Sequence, residues 1–259
     1  LRPSALGLLK SVERREVTVA ERPRVAVLPT GEELVASDPD PGEVVETNGL
    51  TVATLVETWG GDATYGDVVT DDETALRAAV ERDTDHDVVV TTGGSSVGER
   101  DLVPETVADL GELLVHGVAL QPGHPAGAGV VDDTPVLVLP GYPVSCLVTA
   151  VQLLRPVVKR AGGMPLPDFP TVAARLDGKV RSEPGVRTFA RVALEADAGD
   201  RGTDGDEDGP GRVASVVRAS GAGVLSSVAA ADGWVEVPES REGIPAGETV
   251  AVQDWEWSQ

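Results

Sequence analysis

Apolar positions recur with two rhythms along this chain, and the change of rhythm divides it. Up to residue 161, short continuous β-branched runs alternate with stretches whose apolar side chains return every three or four positions. Beyond residue 170 they return every second position. Arg24 to Leu28 reads as a first strand. Leu50, Val52, Leu55, Val56 and Trp59 then keep helical spacing, capped by Thr47 or Asn48 and stopped by Gly60-Gly61. Ala63 to Val69 reads as a second strand, and Thr70-Asp71-Asp72-Glu73 opens a helix through Leu76, Ala79 and Val80. Asp87 to Thr91 is unbroken and β-branched, as a central parallel strand buried on both faces should be. A helix over 102–110, strands over Leu113 to Leu120 and Val136 to Leu139, and an amphipathic helix over 143–161 follow. This order predicts an α/β fold: a three-layer, mostly parallel, doubly wound sheet with right-handed crossovers.

Gly162 to Pro167 has the composition of a linker. Past it, Thr171 to Leu176, Arg187 to Leu194, Val213 to Val217, Gly233 to Val237 and Glu248 to Val252 alternate, predicting a small β-barrel or sandwich. Ala196 to Gly211 is rich in Asp and Gly and reads as a solvated hairpin tip. Residues 1–23 carry too few apolar positions for a domain; a short helical piece and a strand over Glu16 to Ala20 are expected, as the tail of a region before residue 1. The expected domains are therefore 24–163 and 168–259.

Chemistry collects where strands end. Gly93-Gly94-Ser95-Ser96-Val97-Gly98-Glu99-Arg100-Asp101 follows the central strand. Its glycines permit positive φ, so N–H groups can turn toward an anion while Ser95 and Ser96 add hydroxyls. Asp101 can hold a magnesium ion against a phosphate; an ordinary turn with Asp101 as a helix cap explains the same residues equally well. Pro29-Thr30-Gly31-Glu32-Glu33-Leu34 ends the first strand, with Glu33 either in the same crevice or an exposed loop residue. Asp71 and Asp72 stand either at the crevice or in the favoured acidic first turn of a helix. Gln121-Pro122-Gly123-His124-Pro125 is a stiff loop, and Pro140-Gly141-Tyr142-Pro143 precedes the last helix. In a doubly wound sheet the loops at 29–34, 70–73, 92–101, 121–125 and 140–145 should meet at one crevice.

Composition narrows the classes. The formal net charge of −22, with lysine only at Lys10, Lys159 and Lys179, argues against nucleic acid and anionic membrane as partners. It fits a protein kept soluble in a salt-accumulating, halophilic cytoplasm. Cys146 is the only cysteine, which excludes an intrachain disulfide and a cysteine metal cluster, and it reads as a core residue. No run approaches the roughly 20 apolar residues of a membrane span and no signal peptide is visible, so a soluble cytoplasmic protein is expected.

With these loops in order, the chain resembles the MoeA/gephyrin family of molybdopterin molybdenumtransferases across nearly its whole length. The resemblance rests on Thr30-Gly31-Glu32-Glu33-Leu34, Asn48, Asp71-Asp72, Gly93 to Asp101, Pro122 to Pro125 and Leu139-Pro140-Gly141-Tyr142-Pro143-Val144-Ser145. It implies an α/β domain like that of molybdopterin adenylyltransferases, followed by a small β-barrel domain. It also implies homodimers that take adenylylated molybdopterin (molybdopterin-AMP), hydrolyse the adenylate with magnesium and molybdate, release AMP and leave molybdenum on the dithiolene. A molybdopterin adenylyltransferase is the implied partner that supplies the substrate.

By resemblance, catalysis falls to Asp101, Asp72 and Glu33, and magnesium to Asp71, Asp72 and Asp101. The pterin nucleotide and oxyanion fall to Thr30, Gly31, Asn48, Gly93, Gly94, Ser95, Ser96, Gly98, Pro122, Gly123, His124, Pro125, Pro140, Gly141, Pro143 and Ser145, with Arg191 facing molybdate. The chain departs from the family where lysines normally flank the 121–125 loop: Gln121 is neutral and His124 only partly charged near neutral pH. Tyr142 replaces a usual asparagine and Ala222 a usual serine. These changes weaken molybdate capture and keep open a second reading, a divergent pterin-binding or scaffold paralogue that inserts no metal. A third, an adenylyltransferase, is opposed by Asp71-Asp72, the Pro140 to Pro143 motif and the C-terminal β segment.

Overall fold

The computed structural model of the protein describes residues 1–94, 102–197, 211–217 and 225–257. The chain opens with α1 (Pro3–Ser11), which buries no residue. The strand expected over Glu16 to Ala20 does not form: those residues are exposed coil, with no strand among the described residues to take their backbone groups. Then come β1 (Arg24–Pro29), β2 (Leu34–Val35), β3 (Val44–Val45), α2 (Asn48–Thr58), β4 (Asp62–Tyr65), α3 (Glu73–Asp83), β5 (Val88–Thr92) and α4 (Leu102–Leu110). Next are β6 (Glu112–His116), β7 (Leu120–Gln121), β8 (Gly127–Val131), β9 (Thr134–Leu139) and α5 (Pro143–Thr149), a π-helical turn (Ala150–Leu154) and α6 (Arg155–Ala161).

The first sheet has the order β4-β1-β5-β9-β8-β6. Its first four strands are mutually parallel, while β8 runs antiparallel to both β9 and β6. Val25, Val27, Val88, Val90 and Leu139 face α2, α5 and α6. Ala26, Leu28, Val89, Val136 and Val138 face α3 and α4. One period-two alternation therefore feeds two helical layers, each fully buried Val or Leu contributing about 1.5–3 kcal/mol.

Four local expectations change. The second strand stops at Tyr65 rather than Val69: the Gly66 N–H makes a last bond along the ladder, to the Val27 carbonyl, and Val69 returns only as an isolated parallel bridge to Thr30. The single strand expected over Leu113 to Leu120 is two, split at Gly117 with φ +84°. Its second piece, β7, joins the other sheet beside Arg187 and Thr188. Gly127–Val131, with no strand-forming look, is an antiparallel strand held by a hairpin whose turn residues Asp132 and Asp133 have φ of 47° and 66°. The long last helix relaxes into the π-helical turn just before Pro156, which has no N–H to donate.

The remainder holds β10 (Thr171–Leu176), β11 (Val180–Arg181), β12 (Arg187–Ala196), β13 (Arg212–Val216), α7 (Ser226–Ala229), β14 (Gly233–Val237), β15 (Gly243–Ile244) and β16 (Thr249–Gln253). Strands β13-β10-β16-β14-β12 form the second sheet, and pairing of β13 with β12 closes it into a five-stranded barrel. Most of the hairpin tip expected over 196–211 lies outside the described residues. Phe189, Trp234 and Trp255 leave the barrel's own core and join the cluster of α5 and α6, with Trp234 and Trp255 stacked at 4.7 Å between centroids. This aromatic contact seats the barrel against the first sheet's helical layer. Among the described residues no helix is long and apolar enough to cross a membrane.

Candidate active site

Every parallel strand of the first sheet ends on the same edge, and the backbone there is knit across loops distant in sequence. Thr30 bridges Val69, and the Gly31 N–H donates to the Val69 carbonyl at 3.1 Å. The Gly93 N–H donates to the Leu139 carbonyl at 3.0 Å. Gly93 has φ +137°, and a Cβ there would stand 2.1 Å from the Thr30 carbonyl oxygen, so only glycine lets these two turns touch. A Cβ on Gly141 would lie 3.5 Å from the Gly93 Cα, and Asn48 donates its amide to the Gly141 carbonyl at 2.7 Å. Gly123 packs where a Cβ would meet the Thr149 methyl at 2.6 Å and the Ser145 carbonyl at 3.8 Å. The structure thus brings together Thr30, Gly31, Asn48, Gly93, Gly94, Gly123, Gly141 and Ser145. Buried Pro140 leads into Gly141, and Pro143 starts α5 at its first position, where a missing N–H costs nothing. Pro122 follows a cis bond, and Pro125 leads the chain toward β8.

Several polar atoms at this edge are buried and have no partner among the described residues: the hydroxyls of Thr30, Thr91 and Thr92, and Oδ1 of Asp71. The Thr30 hydroxyl lies 3.0 Å from where Gly94 would carry a Cβ, so it faces the turn that leads into the 95–101 segment. Buried polar groups ordinarily find partners, and an unsatisfied one costs about 1–3 kcal/mol. Asp72 behaves differently from its neighbour: its carboxylate caps α3 by accepting from the Ala75 N–H at 2.9 Å. The exposed Glu33 folds its carboxylate over Gly31, 2.8 Å from where a Cβ would stand. Ser95, Ser96, Gly98 and Asp101 lie outside the described residues, as does Ala222. Among the described residues no three His, Cys, Asp or Glu side chains form a metal-holding group.

The barrel side of the edge is built by β7. Gln121 pairs with Thr188 in parallel register, so the chain leaves β7 heading the way β12 runs toward Arg191. His124 is exposed, and its Nδ1 lies 2.8 Å from the Val118 carbonyl; a carbonyl only accepts, so Nδ1 carries the proton, and Nε2 has no partner among the described residues. Arg191 sits two residues from Phe189, on the face of β12 that meets the helical layer. Its Nε is buried without a partner among the described residues, and desolvation lowers its pKa.

Sequence reasoning missed one pair. Glu46 is only 7% exposed; its Oε1 accepts from the Gly49 N–H at 2.7 Å and its Oε2 accepts from the Tyr65 hydroxyl. Burial, and then the bond to Glu46, push the Tyr65 hydroxyl up to about 12. Burial also raises the Cys146 thiol, with the Glu46 charge adding to it, so this core cysteine stays a thiol.

Residues 26–160 match the family described as "Probable molybdopterin binding domain". Residues 173–255 match the "MoeA C-terminal region (domain IV)". Molybdopterin molybdenumtransferase 2 of Mycobacterium tuberculosis is 32% identical over 262 residues, covering 97% of this chain and 61% of that protein. A molybdopterin biosynthesis MoeA protein from Pyrococcus horikosii superposes with a TM-score of 0.82 at 35% identity, over 98% of this chain and 60% of the other. A molybdenum cofactor biosynthesis protein from Pyrococcus furiosus gives 0.69 at 28% identity, over 97% and 76%. The chain spans less than two thirds of the length of the M. tuberculosis relative.

Proposed function

Because the chain belongs to the MoeA family, matching the two C-terminal domains of its members, we propose that it performs the molybdenum-insertion step of molybdenum cofactor biosynthesis. Adenylylated molybdopterin lies along the sheet edge, its adenylate is hydrolysed with release of AMP, and molybdenum is left on the dithiolene. Residues 24–163 are the pterin-nucleotide domain in this reading, and residues 168–259 the barrel domain. The supporting observation is the set of buried oxygens around the Gly93 turn that have no partner among the described residues, from Thr30, Thr91, Thr92 and Asp71. Hydroxyls beside a glycine turn suit a diphosphate, and an unpaired carboxylate oxygen suits a hard cation.

Magnesium fits this donor set in part. Asp71 would hold it together with Asp101, while Asp72 contributes mainly by fixing the start of α3. When bound, such a cation offsets the charge that develops on the leaving phosphate. The chain's own residues supply the rest: the Thr30 hydroxyl and the glycine turns orient the diphosphate, and Glu33 lies over Gly31 within reach of it. Arg191, half-buried and without an ion-pair partner among the described residues, is the cation proposed to meet molybdate. We further propose a homodimer, a cytoplasmic setting of high salt, and supply of substrate by an adenylyltransferase.

One observation favours a second reading. The 121–125 loop offers exposed Gln121 and His124, with no ammonium for an oxyanion, as in a paralogue that binds pterin nucleotide without inserting metal. Mixing the protein with adenylylated molybdopterin, magnesium and molybdate in concentrated KCl separates the two. Molybdate-stimulated AMP release is the expected result; binding without that stimulation selects the second reading, and absence of binding removes both.

A further inference from the structure

The start of α2 is capped by a side chain from outside the helix. Thr47, at the cap position, makes no side-chain bond there, and the N–H of Gly49, in the first turn, has no carbonyl within the helix to reach. Its acceptor is Oε1 of Glu46, at 2.7 Å, while Oε2 of the same carboxylate accepts from the Tyr65 hydroxyl at the end of β4. We infer that Glu46 is a positioning residue for the proposed AMP-releasing reaction, acting through Asn48 without touching substrate; the inference rests on the reading above.

Glu46 is buried and each of its oxygens already accepts, so any effect it has on the chemistry passes through the groups it holds. Those groups belong to the site. The Glu46 N–H donates to the Val35 carbonyl at 2.8 Å and the Val44 N–H to the Glu33 carbonyl at 2.7 Å, which ties the loop carrying Thr30, Gly31 and Glu33 to β3. Asn48, two residues on from Glu46 and next to Gly49, holds the Gly141 carbonyl at 2.7 Å. Glu46 also lies near enough to α5 for its charge to act on Cys146.

The arrangement has little slack. A Cβ on Gly49 would stand 2.7 Å from Cγ of Pro29, 2.7 Å from Cε2 of Tyr65 and 3.2 Å from Oε2 of Glu46, so the ends of β1 and β4 and the carboxylate close on one glycine. Without the carboxylate, the buried Gly49 N–H loses its acceptor, and the first turn of α2 gains by shifting toward water. Asn48 lies in that turn, so its amide moves off the Gly141 carbonyl and the turn packed on Gly93 is released. A displacement of about 1 Å in groups that orient a reacting diphosphate can cost about a hundredfold in rate.

The test is a double-mutant cycle on AMP release from adenylylated molybdopterin, with magnesium and molybdate in concentrated KCl, at a temperature where circular dichroism shows each variant folded. Glu46→Ala is expected to lower kcat about tenfold with KM within about threefold of the parent, since the binding groups remain and only their placement changes. Asn48→Ala should lose about as much, and the double variant about as much as either single one, because both remove the same tether. Glu46→Gln keeps an oxygen for the Gly49 N–H and should recover most of the loss. Should Glu46→Ala not fold, Tyr65→Phe takes its place in the cycle, with an expected loss of about threefold that disappears in the Asn48→Ala background. Parental kcat in the variant used, or losses that multiply in the double variant, overturns the positioning role alone. A parent protein that releases no AMP overturns the functional reading and the positioning role with it.

Discussion

The Asn48 side chain donates to the Gly141 carbonyl at 2.7 Å across 93 residues of sequence. It pins the start of α2 to the turn after β9, and that turn in turn packs on Gly93. Asn48→Ala would leave a partly buried carbonyl unpaired, with an expected loss of about 1–2 kcal/mol in urea unfolding. Asn48→Asp should behave no better, because a carboxylate cannot donate. Both should lower AMP release more than the stability loss alone explains; unchanged turnover in both would show that this clamp does not position the edge.

Asp71 and Asp72 are adjacent but should respond oppositely to amide substitution. Asp72 caps α3, and asparagine caps about as well, so Asp72→Asn should cost little stability and Asp72→Ala about 1 kcal/mol. Asp71 has a buried oxygen with nothing to accept from among the described residues. Asp71→Asn should therefore preserve the melting temperature and raise the magnesium concentration needed for AMP release. A raised magnesium requirement in Asp72→Asn, with none in Asp71→Asn, would reverse the assignment.

Arg191 carries a buried nitrogen with no partner among the described residues, in a chain whose acidic groups outnumber its basic ones 43 to 21. Holding part of a guanidinium away from water with no partner is unfavourable, so Arg191→Met should be neutral or stabilising in the absence of oxyanion. The same variant should lose the stimulation of AMP release by molybdate. A variant that is less stable and still fully stimulated would make Arg191 a structural residue instead.

How far the sequence disclosed this site depends on the kind of signal. The run from Val88 to Thr91 has no polar interruption, so the central strand and the glycine turn after it were readable directly. Gly127 to Val131 was not, because glycine and alanine carry little strand preference; pairing with β9 through left-handed Asp132 and Asp133 decides it. The roles of Asp71 and Asp72 could not be divided by spacing, since a cap and a cation ligand ask for the same residue type at the same place. Glu46 gave no signal at all: its partner Tyr65 is 19 residues away, and only folding buries the carboxylate.

Tyr65 is raised from 10.0 to about 12 in the folded chain. A group with a raised folded pKa favours the native state fully below its unfolded value, and that contribution falls away as pH rises from about 10 to about 12. The chain has two tyrosines, so in Tyr142→Phe the phenolate absorbance reports Tyr65 alone and should rise near pH 12. Glu46→Gln removes the carboxylate and should bring the rise to lower pH. A titration midpoint near 10 in both proteins would mean that the Glu46 bond is not kept in solution.

Concentrated salt should stabilise this protein, and the magnitudes say why. At a net charge of −22, crowding acidic groups onto one folded surface is unfavourable wherever screening is weak. The Debye length shrinks from about 10 Å at 0.1 M salt to about 3 Å at 1 M, so most of this repulsion is removed over that range. Salt also weakens the ion pairs, among them Arg241 with Glu248 at 2.7 Å and Arg175 with Asp197 at 2.6 Å. Their side chains are partly open to solvent, and such pairs are worth about 0–1 kcal/mol each, so losing a few does not cancel the relief of repulsion spread over the whole surface. The melting temperature should therefore climb steadily from about 0.1 M toward multimolar KCl, most steeply at the low end where screening changes fastest. A melting temperature that is flat or falling with KCl would show that repulsion on the acidic surface does not limit stability.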